Sequence, residues 1–81
     1  MARITRARMN ADADYWENTA ASRADAAAAD GKAAAADPTK SAYQRQCAAR
    51  AAQIHREQAA DYRDVADALR AGEVPDGYEF D

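Results

Sequence analysis

Alanine supplies 25 of the 81 residues, whereas leucine, isoleucine, valine and phenylalanine together supply six. That imbalance constrains the fold more than any motif. Alanine is the strongest helix former. A set of large apolar residues this sparse is also a signature of disorder. The net charge of only −3 and the consistent helical propensity of the Ala-, Arg-, Glu- and Gln-rich stretches argue for ordered helices instead. The fold class expected is therefore all-α, in a single small domain.

The stretch "DGKAAAADPTKS", residues 30–41, sets the topology. Proline disfavours helix in the residue before it and cannot donate inside one, but it is well tolerated at the first helical position. Asp37 thus reads as an N-cap and Pro38 as the first residue of a second helix, running over 38–71. Gly72 and Pro75 mark its end, and Arg70 suits the negative end of its dipole. Helix 1 is expected over 3–35, with Gly31 tolerated inside it at about 1 kcal/mol. Asn10 followed by acidic residues is the alternative start, leaving 1–9 as a basic segment. A tight turn at 36–37 would fold two helices of about 50 Å into an antiparallel hairpin.

The second helix carries apolar residues at Tyr43, Cys47, Ala51, Ile54, Tyr62, Val65 and Leu69, with Gln58 interrupting. The steps of four, four, three give an 11-residue type of repeat. Ala48, Ala52, Ala59 and Ala66 widen the face. The first helix answers with Met9, Ala13, Trp16, Ala20, Ala24 and Ala27, beside a second row through Tyr15, Ser22, Ala26, Ala29 and Ala33. Broad alanine faces bury little area per contact, and a chain this short recovers its ordering entropy with difficulty. Pairing of two hairpins into a four-helix bundle meets that need. The expected self-association residues are Met9, Trp16, Tyr43, Cys47, Ile54, Tyr62, Val65 and Leu69, in a homodimer.

Catalytic chemistry is not indicated. Cys47 and His55 lie eight residues apart on one helix, about 12 Å along its axis, which is too far for a nucleophile–base pair. Cys47 on the apolar stripe reads as a small buried hydrophobe, and His55 as a bundle-edge or buried, hydrogen-bonded histidine rather than a metal ligand. Glu57, Asp61 and Asp64 share a ridge but lack the accompanying histidine motif of di-metal bundles. Arg56, Arg63 and Arg70 alternate with them, as on a solvated, charge-laced surface. Neither a phosphate-binding glycine loop nor a nucleophile elbow is present. No cofactor, metal or enzyme activity is expected. Trp16 is followed by Glu17 and Asn18, so the Trp-x-Gly turn of small secreted helical hairpins is not matched.

The termini differ in charge. Arg3, Arg6 and Arg8 make a basic start, and "GEVPDGYEFD" over 72–81 makes an acidic tail. The tail can pair with the basic start of its own chain, since an antiparallel hairpin brings both to one pole. As a recognition element, its anchors would be Val74, Tyr78 and Phe80, with Asp76 and Glu79 steering a protein partner. The three arginines are the phosphate-binding candidates of an alternative, nucleic-acid-associated regulator, against which the acidic balance of the chain stands. The start has no apolar core of a secretory signal, and no stretch approaches the ~18 apolar residues of a membrane span. One cysteine and two lysines fit a cytoplasmic protein from a high-GC bacterial or phage genome. The function expected is that of a non-enzymatic assembly, adaptor or inhibitor module working through protein contacts.

Overall fold

Thr5 opens the first helical arm. The computed structural model describes residues 4–80, and in it Thr5 is extended with its hydroxyl accepting from the Arg8 amide at 3.1 Å. That is an N-cap, and α1 follows over Arg6–Tyr15. Asn10 lies inside α1, so the helix does not begin at the later of the two expected starts; it begins at Arg6, and residue 3, the earlier one, lies outside the described residues. The arm continues through a π-helical turn, Trp16–Ala20, into α2, Ala21–Ala35. The chain then reverses and returns as α3, Ala42–Arg70. All regular structure among the described residues is helical, in a hairpin of 56 × 20 × 19 Å.

The connection is longer than the expected 36–37, because Asp37 does not cap α3. Its carboxylate accepts from the Thr39 amide (2.9 Å) and hydroxyl (2.7 Å), closing a local turn around Pro38. The bond from the Thr39 hydroxyl holds the Asp37 carboxyl below its usual range. The cap is Ser41, whose hydroxyl accepts from the Gln44 amide at 3.1 Å while Gln44 Oε1 accepts from the Ser41 amide at 2.9 Å. Residue identity explains the choice. Three positions after Asp37 stands Lys40, which has no acceptor to return, whereas Ser41 and Gln44 satisfy each other in a capping box.

The buried seam also departs from the expected stripe. Along α3 the residues turned inward are Ala48, Ala52, His55, Ala59, Tyr62, Ala66 and Leu69, with Ala52, Ala59, Ala66 and Leu69 fully buried. Their spacing alternates four and three, the coiled-coil heptad rather than the 11-residue repeat. Tyr43 is 74% exposed, Ile54 43% exposed, and Cys47 is exposed as well, so all three are corrected from seam to surface. Small side chains win the seam because they let the two backbones approach. At Gly31 a Cβ would stand 3.0 Å from both the Ala48 carbonyl oxygen and the Ala52 Cβ. Gly31 is thus a contact point rather than a tolerated defect.

The first arm keeps the same heptad only by changing phase. Met9, Ala13 and Trp16 form its first part, and Ala21, Ala24, Ala28, Gly31 and Ala35 the second, with Ala20 and Ala27 half-buried at the edge. Ala13 and Ala21 are both fully buried yet eight residues apart, one more than a heptad. The π-turn absorbs the extra residue: the Ala21 amide bonds to the Trp16 carbonyl, five positions back.

Large side chains concentrate at the open end of the hairpin, where Met9, Ala13, Ala66 and Leu69 are packed by Trp16, Val65, Tyr78 and Phe80. α3 stops there in a Schellman motif. The Glu73 amide bonds to the Ala68 carbonyl (2.8 Å) and the Gly72 amide to that of Leu69 (3.1 Å), with Gly72 at φ +82°. A turn closed by the Tyr78 amide on the Pro75 carbonyl (3.0 Å) then folds the tail back onto α1.

Candidate interaction surfaces

The tail and the basic start meet at one pole and bind each other. Trp16 Nε1 donates to the Tyr78 hydroxyl at 2.8 Å, and that hydroxyl donates to Asp12 Oδ2 at 2.7 Å. The other Asp12 oxygen accepts from Arg8 Nε at 3.1 Å, one helical turn away. The Arg8 guanidinium stands 5.8 Å from the Phe80 ring centroid, in cation–π range. Tyr78 meets Phe80 edge to face at 4.8 Å, and Trp16 lies against Tyr62 at 5.3 Å. Burial, with Asp12 as a further cause, raises the Tyr78 phenol above its ordinary value.

The expected recognition residues therefore divide. Tyr78 and Phe80 are half-buried against their own chain, while Val74, Asp76 and Glu79 remain exposed. The phosphate-binding candidates divide too. Arg6 Nη2 donates to the Arg70 carbonyl at 3.0 Å, capping α3, and its guanidinium covers Gly72 where any side chain would collide with it. Arg8 is engaged by Asp12 and Phe80, and Arg3 lies outside the described residues. The structure does not present Arg6 and Arg8 as one outward cluster. Asp12, the acceptor that organises this pole, reads in the sequence only as one of the acidic residues after Asn10; its four-residue spacing from Arg8 is the signal for the ion pair.

The expected self-association set divides in the same way. Met9 and Leu69 are buried, and Trp16, Tyr62 and Val65 are half-buried in the chain's own core. Tyr43, Cys47 and Ile54 are left on an exposed ridge of α3 at steps of four and seven. Beside this ridge runs a groove of about 300 Å³ between the arms, lined in part by Tyr15, Arg23, His55, Gln58 and Tyr62. His55 Nδ1 hydrogen-bonds with Gln58 Oε1 there at 3.0 Å. The charged pairs that join the arms are Arg63 with Asp25 (2.5 Å), and Arg70 with Asp14 (2.9 Å) and Glu17 (3.2 Å). The Arg63 hydrogen bond holds the Asp25 carboxyl below its usual range.

Among the described residues no three His, Cys, Asp or Glu side chains converge on a point where a metal ion would sit. No described helix is long and apolar enough to cross a membrane. Comparison with known protein families, with curated proteins and with solved structures finds no match for this chain.

Proposed function

We propose that this chain is a non-enzymatic helical module acting through protein–protein contacts, with a homodimer as its working form. The observation that carries the reading is the exposed ridge of Tyr43, Cys47 and Ile54 on α3. These apolar side chains stand outside a core in which seven of the nine buried residues are alanine, Met9 and Leu69 being the two large ones. A chain short of large apolar residues gains most by covering those it leaves in water. Pairing of two hairpins across this ridge makes a four-helix assembly, whose exposed surface then serves as assembly platform, adaptor or inhibitor.

Engagement of Tyr78 and Phe80 within the chain supports the ridge, rather than the tail, as the first recognition element. The occupied Arg6 and Arg8 likewise favour protein contacts over phosphate binding. A surface-exposed, unpaired Cys47 suits a reducing compartment, in keeping with a cytoplasmic protein. Light-scattering mass behind size exclusion, over a range of concentrations, tests the proposal. A species near twice 8.7 kDa supports it, and a monomer at every concentration overturns the homodimer.

A further inference from the structure

The ridge on α3 has a direction written into its charges. Measured from Ile54 around a helix of 100° per residue, Tyr43, Cys47, Arg50, Glu57, Asp61 and Val65 all fall within about 60°. Arg45, Arg56 and Arg63 fall on the opposite side, and Arg63 is spent on Asp25. Within the ridge, then, the positive charge precedes Ile54 and the negative charges follow it. Arg50, Glu57 and Asp61 are all exposed, and the ion pairs of the described residues use none of them. Glu57 accepts only a long 3.4 Å bond from Gln53.

Such an order is self-complementary in one orientation. Parallel copies would set Arg50 against Arg50 and Asp61 against Asp61. Antiparallel copies related by a two-fold axis set each positive end against a negative one. We infer that a second copy of this chain docks antiparallel along α3, with Ile54 at the two-fold axis. Ile54 then packs on the partner's Ile54, Tyr43 covers the part of the partner's Val65 that its own core leaves exposed, and Arg50 reaches the partner's Glu57 and the partner's Asp61. A two-fold contact makes each of these pairings twice. The inference rests on the homodimer proposed above and adds its face and register.

Register makes the cysteine chemistry diagnostic. Cys47 and its counterpart would be offset by fourteen positions, about 21 Å along the axis, which is beyond disulfide reach. A thiol at position 54 would face its own copy directly. The test is oxidation in a glutathione buffer of the full chain and of the double variant Cys47→Ser with Ile54→Cys. Expected is a covalent dimer from the variant and none from the native chain. A native Cys47 cross-link, or a variant that is dimeric by light scattering yet does not cross-link, overturns the register and leaves the homodimer standing. A native chain that is monomeric throughout overturns both. Because a disulfide can also trap a rare encounter, charge reversal supplies a second measurement. Arg50→Glu should weaken the dimer about tenfold, and adding Glu57→Arg and Asp61→Arg should restore it. No weakening, or no restoration in a variant whose helical content is intact, removes the proposed pairing.

Discussion

Trp16 and Tyr78, 62 positions apart, are joined by a 2.8 Å bond from the indole N–H to the phenol oxygen. The same oxygen donates its own proton to Asp12 at 2.7 Å. One hydroxyl thus satisfies a donor on the first arm and an acceptor one turn earlier, and it fixes the tail to the hairpin. Phenylalanine keeps the ring but can do neither. Tyr78→Phe is expected to destabilise the chain by about 1–2 kcal/mol in urea unfolding, because two part-buried groups lose their partner. An unchanged midpoint would mean that the tail is not part of the folded unit.

The same phenol gives the fold an alkaline limit. Its folded value lies above the ordinary 10.0, mainly through burial, so the folded state holds this proton more tightly than the unfolded chain does. The contribution is therefore complete below the unfolded value and is lost as pH rises through the folded one. A late tyrosinate absorbance step, accompanied by a change in Trp16 fluorescence, is expected on alkaline titration. In Tyr78→Phe the late step should vanish; its persistence would assign it to another tyrosine.

The alternation of helix and turn was legible because alanine, Asp37-Pro38 and Gly72 act locally. Gly72 does end α3, through a left-handed residue that a Schellman motif requires. The seam was not legible, and the reason is geometric. Tyr43, Cys47 and Ile54 each offer more apolar area than alanine, yet close approach at Gly31 selects for smallness, so the alanines take the interior. The pole of the hairpin was half legible. The basic start and acidic tail were recognisable as complements, but the specific partners, Asp12 for Tyr78 and the Arg70 carbonyl for Arg6, depend on how the chain folds back.

The cap shows how a local competition was decided. Ser41 and Gln44 exchange two bonds where Asp37 and Lys40 can exchange none. Ser41→Ala should accordingly lower stability by about 1 kcal/mol. Chemical denaturation measures this directly. Equal or greater loss from Pro38→Ala, with Ser41→Ala silent, would return the helix start to Asp37.

Gly31 separates intrinsic propensity from packing. In an exposed helix Gly→Ala gains about 1 kcal/mol. Here the new Cβ meets the Ala48 carbonyl oxygen and the Ala52 Cβ at 3.0 Å, and neither is the end of a flexible side chain that could swing aside. The facing helix must give by a few tenths of an ångström along the seam, so Gly31→Ala is expected to lower the thermal midpoint, and Gly31→Val to lower it further. A rise in midpoint for the alanine variant would show that the arms are less closely packed than the seam implies.

The π-turn offers the sharpest contrast between two deletions. Ala13 and Ala21, both without exposed surface, are eight residues apart, and the surplus residue is carried in Trp16–Ala20. Removing exposed Asn18 leaves them seven apart, which an uninterrupted α-helix accommodates with both still facing α3. Removing exposed Ala26 instead rotates every residue on one side of the cut by 100° relative to the other, taking Ala28 and Gly31 out of line with Ala21 and Ala24. Deletion of Asn18 should therefore preserve helical content and a cooperative melt, whereas deletion of Ala26 should broaden the melt and lower its midpoint. Equal damage from both would mean that the turn is held for some purpose beyond phasing, with Trp16 and its bond to Tyr78 the first place to look.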